Sequence, residues 1–116
     1  MLKILDGKVA LITGCSGGIG RETAIRFAEE GASLAICART ASKLEETAEA
    51  CRQRGAQVLA VVCDITDKTQ LENLVHQTTD QFGRIDILIN NAVNAKPGSP
   101  FLEQTEADLM TVFESG

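Results

Sequence analysis

No run in the 116 residues approaches the roughly 20 consecutive apolar positions that a membrane-spanning helix needs. The opening stretch, Met1 to Gly7, also lacks the apolar core of a signal peptide. These absences predict a cytoplasmic protein with no membrane partner. Positive charge is scarce as well: 11 Lys and Arg stand against 16 Asp and Glu, for a net charge of −5. Such a surface repels a phosphate backbone and argues against nucleic acid as a partner. No Cys-x-x-Cys pair occurs, and Cys15, Cys37, Cys51 and Cys63 are widely spaced. That removes the common zinc and redox signatures and predicts free thiols that fill core space. Only Cys15 falls in a glycine-rich segment, where backbone amides could lower its pKa, and core filling is the favoured reading there too. His76 is the single histidine and has no second imidazole to share a metal with, so no metal site is expected. Tyrosine is missing altogether.

What is present alternates between two periodicities. Lys8 to Thr13, Ser33 to Ala38, Gln57 to Cys63 and Ile85 to Asn90 are short apolar runs, the pattern of strands buried on both faces of a parallel sheet. Between them lie segments of helical spacing. Ala24, Phe27 and Ala28 follow Gly20 and stop at Gly31. Ser42 and Glu45 resemble a capping box ahead of Leu44, Ala48 and Cys51, which stop at Gly55. Asp67 and Gln70 can cap a helix carrying Leu71, Leu74, Val75, Thr78 and Phe82, with Gly83 as its end. Asn94 to Pro100 reads as a loop, and a last amphipathic segment starts near Thr105. Strict strand-helix alternation predicts an α/β fold with right-handed crossovers. There is no internal repeat beyond this unit and no low-complexity segment, so one domain over 1–116 is expected.

The segment Thr13-Gly14-Cys15-Ser16-Gly17-Gly18-Ile19-Gly20 sits between the first strand and the first helix. Glycines there remove the Cβ atoms that would block phosphate oxygens, and the helix behind supplies unpaired N–H groups and the positive end of its dipole. At that position a glycine turn predicts a bound nucleotide. The spacing Gly14-x-x-x-Gly18-x-Gly20 differs from the Gly-x-Gly-x-x-Gly of most NAD-binding dehydrogenases.

Thr13-Gly14-x-x-x-Gly18-Ile19-Gly20 resembles the glycine signature of the classical short-chain dehydrogenases/reductases, and Asn90-Asn91-Ala92 resembles the start of their Asn-Asn-Ala-Gly motif. Val93 departs from that motif, standing where the family has glycine. Asp64 is similar to the family's acidic residue near the adenine. The resemblance covers the whole chain. It implies a Rossmann-type doubly wound parallel sheet with strand order 3-2-1-4, and a cofactor site drawn from Gly14, Ser16, Gly18, Ile19, Gly20, Arg39, Asp64, Ile65, Asn90 and Ala92. The bland alternatives are a polar strand end for Asn90, a sheet clamp for Asn91 and a helix-initiating turn for Asp64.

Enzymes preferring NAD commonly place a carboxylate at the end of the second strand to bind the ribose hydroxyls. Here Ala38 holds that place, followed by Arg39, nineteen positions after Gly20. A guanidinium there can grip a 2′-phosphate bidentately, so NADP(H) is favoured over NAD(H). The family's catalytic Ser, Tyr and Lys, spaced Tyr-x-x-x-Lys, lie downstream of the Asn-Asn-Ala segment, and a chain without tyrosine offers no phenol to protonate a carbonyl. No catalytic residue is therefore assigned. The chain reads as the cofactor half of an oxidoreductase, truncated before its catalytic half and inactive alone. The whole protein is expected to transfer hydride between NADP(H) and a small hydroxyl or keto substrate, as an alcohol dehydrogenase or a ketoreductase similar to the 3-oxoacyl-acyl-carrier-protein reductases. The family's habit further implies a dimer or tetramer for it. The competing reading is a non-catalytic NADP(H)-binding module or an inactive fragment.

Overall fold

The computed structural model describes residues 3–91. Over these residues the chain runs β1 (Val9–Ile12), α1 (Gly18–Glu29), β2 (Ser33–Ala38), α2 (Ala41–Arg52), β3 (Val58–Val62), α3 (Lys68–Phe82) and β4 (Ile87–Ile89). All four strands are parallel, in the order β3-β2-β1-β4. This is the order that the family resemblance implies. The loop from Asn94 to Pro100 and the amphipathic segment near Thr105 fall outside the described residues.

Side-chain alternation along the strands divides the core into two layers. Ala10 and Ile12 of β1 and Leu34, Ile36 and Ala38 of β2 face α1 and α2, where Ala24, Ala28, Leu44, Ala48 and Cys51 meet them. The intervening residues Leu11, Ala35 and Cys37 face the other way and pack against Leu71, Leu74 and Val75 of α3. The two central strands, β1 and β2, are buried almost along their whole length. An apolar run without alternation is what such strands require, since both faces leave water. The small residues Ala24 and Ala28, fully or nearly fully buried on α1, let that helix lie close to the sheet.

The ends of the elements follow local chemistry, with two departures from the sequence reading. As expected, Asp67 caps α3: its side chain accepts hydrogen bonds from the Thr69 and Gln70 amides. Gly83 closes the same helix with φ of 81°, in the left-handed region that glycine enters at little cost. The capping box foreseen at Ser42 and Glu45 does not form. Helix α2 starts two residues earlier, at Ala41, with Thr40 at the cap position and no side-chain cap. Ser42 is already inside the first turn, where its hydroxyl cannot serve as the cap. Helix α1 likewise begins at Gly18 rather than after Gly20, so the second half of the glycine motif is itself helical.

At the amino edge of the sheet, Asp86 ties β4 to β1 twice. Its backbone N–H donates to the Val9 carbonyl and its Oδ2 accepts the Val9 N–H, both at 2.8 Å. Hydrogen bonds from Arg84 and Val9 hold the Asp86 carboxyl below the ordinary carboxylate range.

The two helix starts are separable by mutation. Asp67→Ala is expected to lower stability by about 1 kcal/mol, the usual loss for an N-cap. Ser42→Ala should stay within about 0.5 kcal/mol of the parent, as for an exposed position without a partner role. Urea unfolding of both variants checks this, and equal losses at the two sites would contradict the assigned caps.

Candidate functional site

Parallel strands end at one edge of their sheet, so every segment that follows a strand gathers there. The turn after β1 carries Gly14, Ser16, Gly18, Ile19 and Gly20, Arg39 follows β2, Asp64 and Ile65 follow β3, and Asn90 follows β4. Nine of the ten residues expected at a cofactor are thus brought to the carboxyl edge. The tenth, Ala92, lies outside the described residues, as does Val93.

Hydrogen bonds across the strands hold this edge together. Beyond the end of β1, the Thr13 N–H donates to the Ile89 carbonyl at 3.0 Å. The buried Thr13 hydroxyl donates to Asn90 Oδ1 at 2.8 Å and accepts the Asn91 N–H at 3.0 Å. Asn91 therefore acts as a sheet clamp through its backbone. Its Nδ2 is buried and has no partner among the described residues. On the other side, the Cys15 N–H reaches the Cys37 carbonyl and the Cys63 N–H reaches the Ala38 carbonyl, each at 3.0 Å.

The glycine turn needs glycine for a reason that can be measured. A Cβ on Gly20 would sit 2.0 Å from the Gly14 oxygen and 2.8 Å from the Gly14 carbonyl carbon. No side chain fits there while α1 starts where it does. At Gly17 and Gly18, by contrast, a Cβ would meet nothing within 4 Å, so these positions face open space. Gly17 is the N-cap residue of α1 and provides no side-chain cap. The first-turn amides of a helix have no intrahelical acceptor. Here they border open space with the positive end of the helix dipole behind them, a setting that suits the pyrophosphate of a dinucleotide. Ile19, next along the chain after Gly18, has 77% of its surface exposed.

The residues after β2 and β3 differ in character. Arg39 is exposed, and its charge helps lower the Asp64 carboxyl. The larger causes of that lowering are the side-chain and backbone hydrogen bonds from Thr66, at 2.6 and 2.9 Å to Asp64 Oδ1. Asp64 also donates its N–H to Gln70 Oε1 at 2.9 Å. It is therefore part of the turn that starts α3, as the plainer sequence reading held, while remaining at the edge beside Arg39. Ile65 turns its side chain into the core, which leaves only its backbone for a ligand.

Two features correct or extend the sequence reading. Cys15 fills core space, as the plainer sequence reading held, and its thiol donates to the Ile12 carbonyl at 3.3 Å. Burial pushes it up to about 12, against a smaller lowering from the Cys37 backbone. Thr47 went unnoticed in the sequence, although it stands on the apolar face of α2 beside Leu44, Ala48 and Cys51. It is fully buried, and its hydroxyl donates to the Cys15 carbonyl at 2.7 Å. Among the described residues, no group of three or more His, Cys, Asp and Glu could hold a metal ion, and no helix is long and apolar enough to cross a membrane.

Two outcomes are expected. Gly20→Ala should destabilise the chain by about 3 kcal/mol or more, the upper range for overpacking, whereas Gly17→Ala should unfold at nearly the parent temperature in the same thermal scan. A raised pKa leaves Cys15 neutral at pH 8, so iodoacetamide should spare it in the native chain and label it after denaturation. Peptide mass mapping reads this directly, and rapid native-state labelling would contradict the buried orientation.

Comparison with known proteins agrees with this geometry. The short chain dehydrogenase family pattern matches residues 8–115. A dehydrogenase subunit of Thauera aromatica, (2S)-[(R)-hydroxy(phenyl)methyl]succinyl-CoA dehydrogenase subunit BbsD, is 44% identical over 104 residues, spanning 90% of this chain and 42% of the relative. A hydroxysteroid dehydrogenase structure from Escherichia coli superposes with a TM-score of 0.81 at 32% identity, covering 96% of this chain and 52% of that one. An actinorhodin polyketide ketoreductase solved with NADPH superposes with a TM-score of 0.70 at 36% identity, over 73% of this chain and 33% of that one. The chain thus spans about two-fifths of the length of the curated relatives it matches. With the strand order, the glycine turn and the residue match in agreement, the chain belongs to the short-chain dehydrogenase family and carries its Rossmann-type sheet.

Proposed function

We propose that the carboxyl edge of this sheet is the NADP(H) site of a short-chain oxidoreductase. The observation that carries the reading is the open, uncapped start of α1 with Arg39 exposed at the end of the neighbouring strand and no carboxylate in Ala38's place. The cradle and the cation fit a dinucleotide with a 2′-phosphate. Ser16, Gly18 and Ile19 receive the pyrophosphate on the turn, and Gly14 and Gly20 allow the turn to close. Arg39 grips the ribose phosphate. Asp64 and the Ile65 backbone border the adenine, and Asn90 with Ala92 lines the path toward the nicotinamide. When bound, the cofactor supplies or accepts hydride.

For the whole protein the proposed reaction is hydride transfer between NADP(H) and the hydroxyl or keto carbon of a small molecule. Support comes from relatives that are named as dehydrogenases of a succinyl-CoA derivative and of hydroxysteroids, and from a ketoreductase solved with NADPH. Assembly as a dimer or tetramer belongs to the same proposal. The 116 residues contain no tyrosine, so a general acid of that kind has to come from outside them. That one feature favours a second reading, in which this chain binds NADP(H) without turning it over.

Replacing Arg39 with Ala is expected to weaken NADPH binding tenfold or more, the loss of about 1.5–3 kcal/mol typical of a charge-assisted hydrogen bond. NADH affinity should change far less. Fluorescence titration with both nucleotides checks the assignment, and an unchanged NADPH affinity would overturn the preference for the phosphorylated cofactor.

A further inference from the structure

We infer that Thr47, on α2 and outside the glycine signature, is a positioning residue that aims the Ser16 amide of the turn at the cofactor's pyrophosphate. The inference rests on the cofactor reading given above and adds a residue to it. Its basis is the way Cys15 is held. Each polar group of that residue is engaged by a different element: its N–H by the Cys37 carbonyl of β2 at 3.0 Å, its thiol by the Ile12 carbonyl of β1 at 3.3 Å, and its carbonyl by the Thr47 hydroxyl of α2 at 2.7 Å. Both Cys15 and Thr47 are fully buried. Cys15 is therefore the immobile end from which the exposed part of the turn departs.

The carbonyl of Cys15 and the N–H of Ser16 belong to one planar peptide unit, and no peptide bond among the described residues is cis. In a trans unit the C=O and the N–H point in opposite directions. Gripping the carbonyl from the α2 side thus turns the Ser16 N–H away from α2, toward the open side of the turn where Gly17 and Gly18 leave room. The Thr47 hydroxyl has one proton to give. The Lys43 carbonyl, one helical turn back, lies at 3.3 Å and is the longer alternative. The short bond is the one made across 32 residues to the turn.

The test compares two probes on four chains. NADPH engages the whole site, whereas adenosine 2′-monophosphate carries the ribose phosphate and adenine but no pyrophosphate. Thr47→Val keeps the shape and removes the hydroxyl. It is expected to weaken NADPH binding about tenfold, equivalent to 1.4 kcal/mol, while adenosine 2′-monophosphate binds as to the parent. Thr47→Ser and Thr47→Ala both lose the methyl and differ only in the hydroxyl, so Ser should keep NADPH affinity and Ala should lose it. This pair decides the matter if Thr47→Val does not fold. Equal NADPH affinity with and without the hydroxyl, or equal losses for both probes, would overturn the role of Thr47 and leave the cofactor site standing. A parent chain that binds neither NADPH nor NADH would overturn the cofactor reading and the role of Thr47 with it.

Discussion

Helix α1 starts so close to the end of β1 that a single methyl group at Gly20 would overlap the Gly14 carbonyl. That approach sets the position of everything above the sheet. It brings the first-turn amides of α1 to the carboxyl edge, beside the residues that follow β2, β3 and β4. It also leaves the Cys15 side chain nowhere to go but the core, where it packs with Ile12, Leu34 and Ile36. A bulkier turn would lift α1 away, expose Ala24 and Ala28, and separate the amides from Arg39.

Burial supplies the rest of the order. Because β1 and β2 lose water on both faces, helices must cover each side, and the apolar stripes of α1 and α2 on one face and α3 on the other do so. Hydrophobic burial has no direction, so it brings the elements together without defining how their ends meet. Directional bonds at the carboxyl edge do that. Thr13 serves the Ile89 carbonyl, Asn90 and the Asn91 amide at once, so the turn after β1 and the segment after β4 cannot separate without leaving buried polar groups unpaired.

The site that results separates two tasks. Fixed backbone amides on a helix start suit a pyrophosphate, whose charge is shared by every dinucleotide cofactor. In the proposed function, selection between such cofactors falls to the segment after β2, where Ala38 is followed by the exposed Arg39. The buried thiols take no part in this. Cys15 and Cys51 are held in the neutral form by burial, and they contribute as small apolar side chains.

The sequence by itself determined the element order, the parallel sheet and the place of the glycine turn, because periodicity and glycine spacing act over a few neighbouring residues. The strand order came from the family resemblance, and the observed sheet agrees with it. Local reading placed the start of α2 two residues too late, with Ser42 rather than Thr40 as the cap, since both residue types are capable caps. Only the tertiary structure decided that Cys15 points into the core, that Thr13 reaches Asn90 across 77 residues, and that Thr47 reaches the Cys15 carbonyl across 32. The reason is physical: a hydrogen bond between distant segments leaves no period in the chain, and its partners become neighbours only when the strands lie side by side.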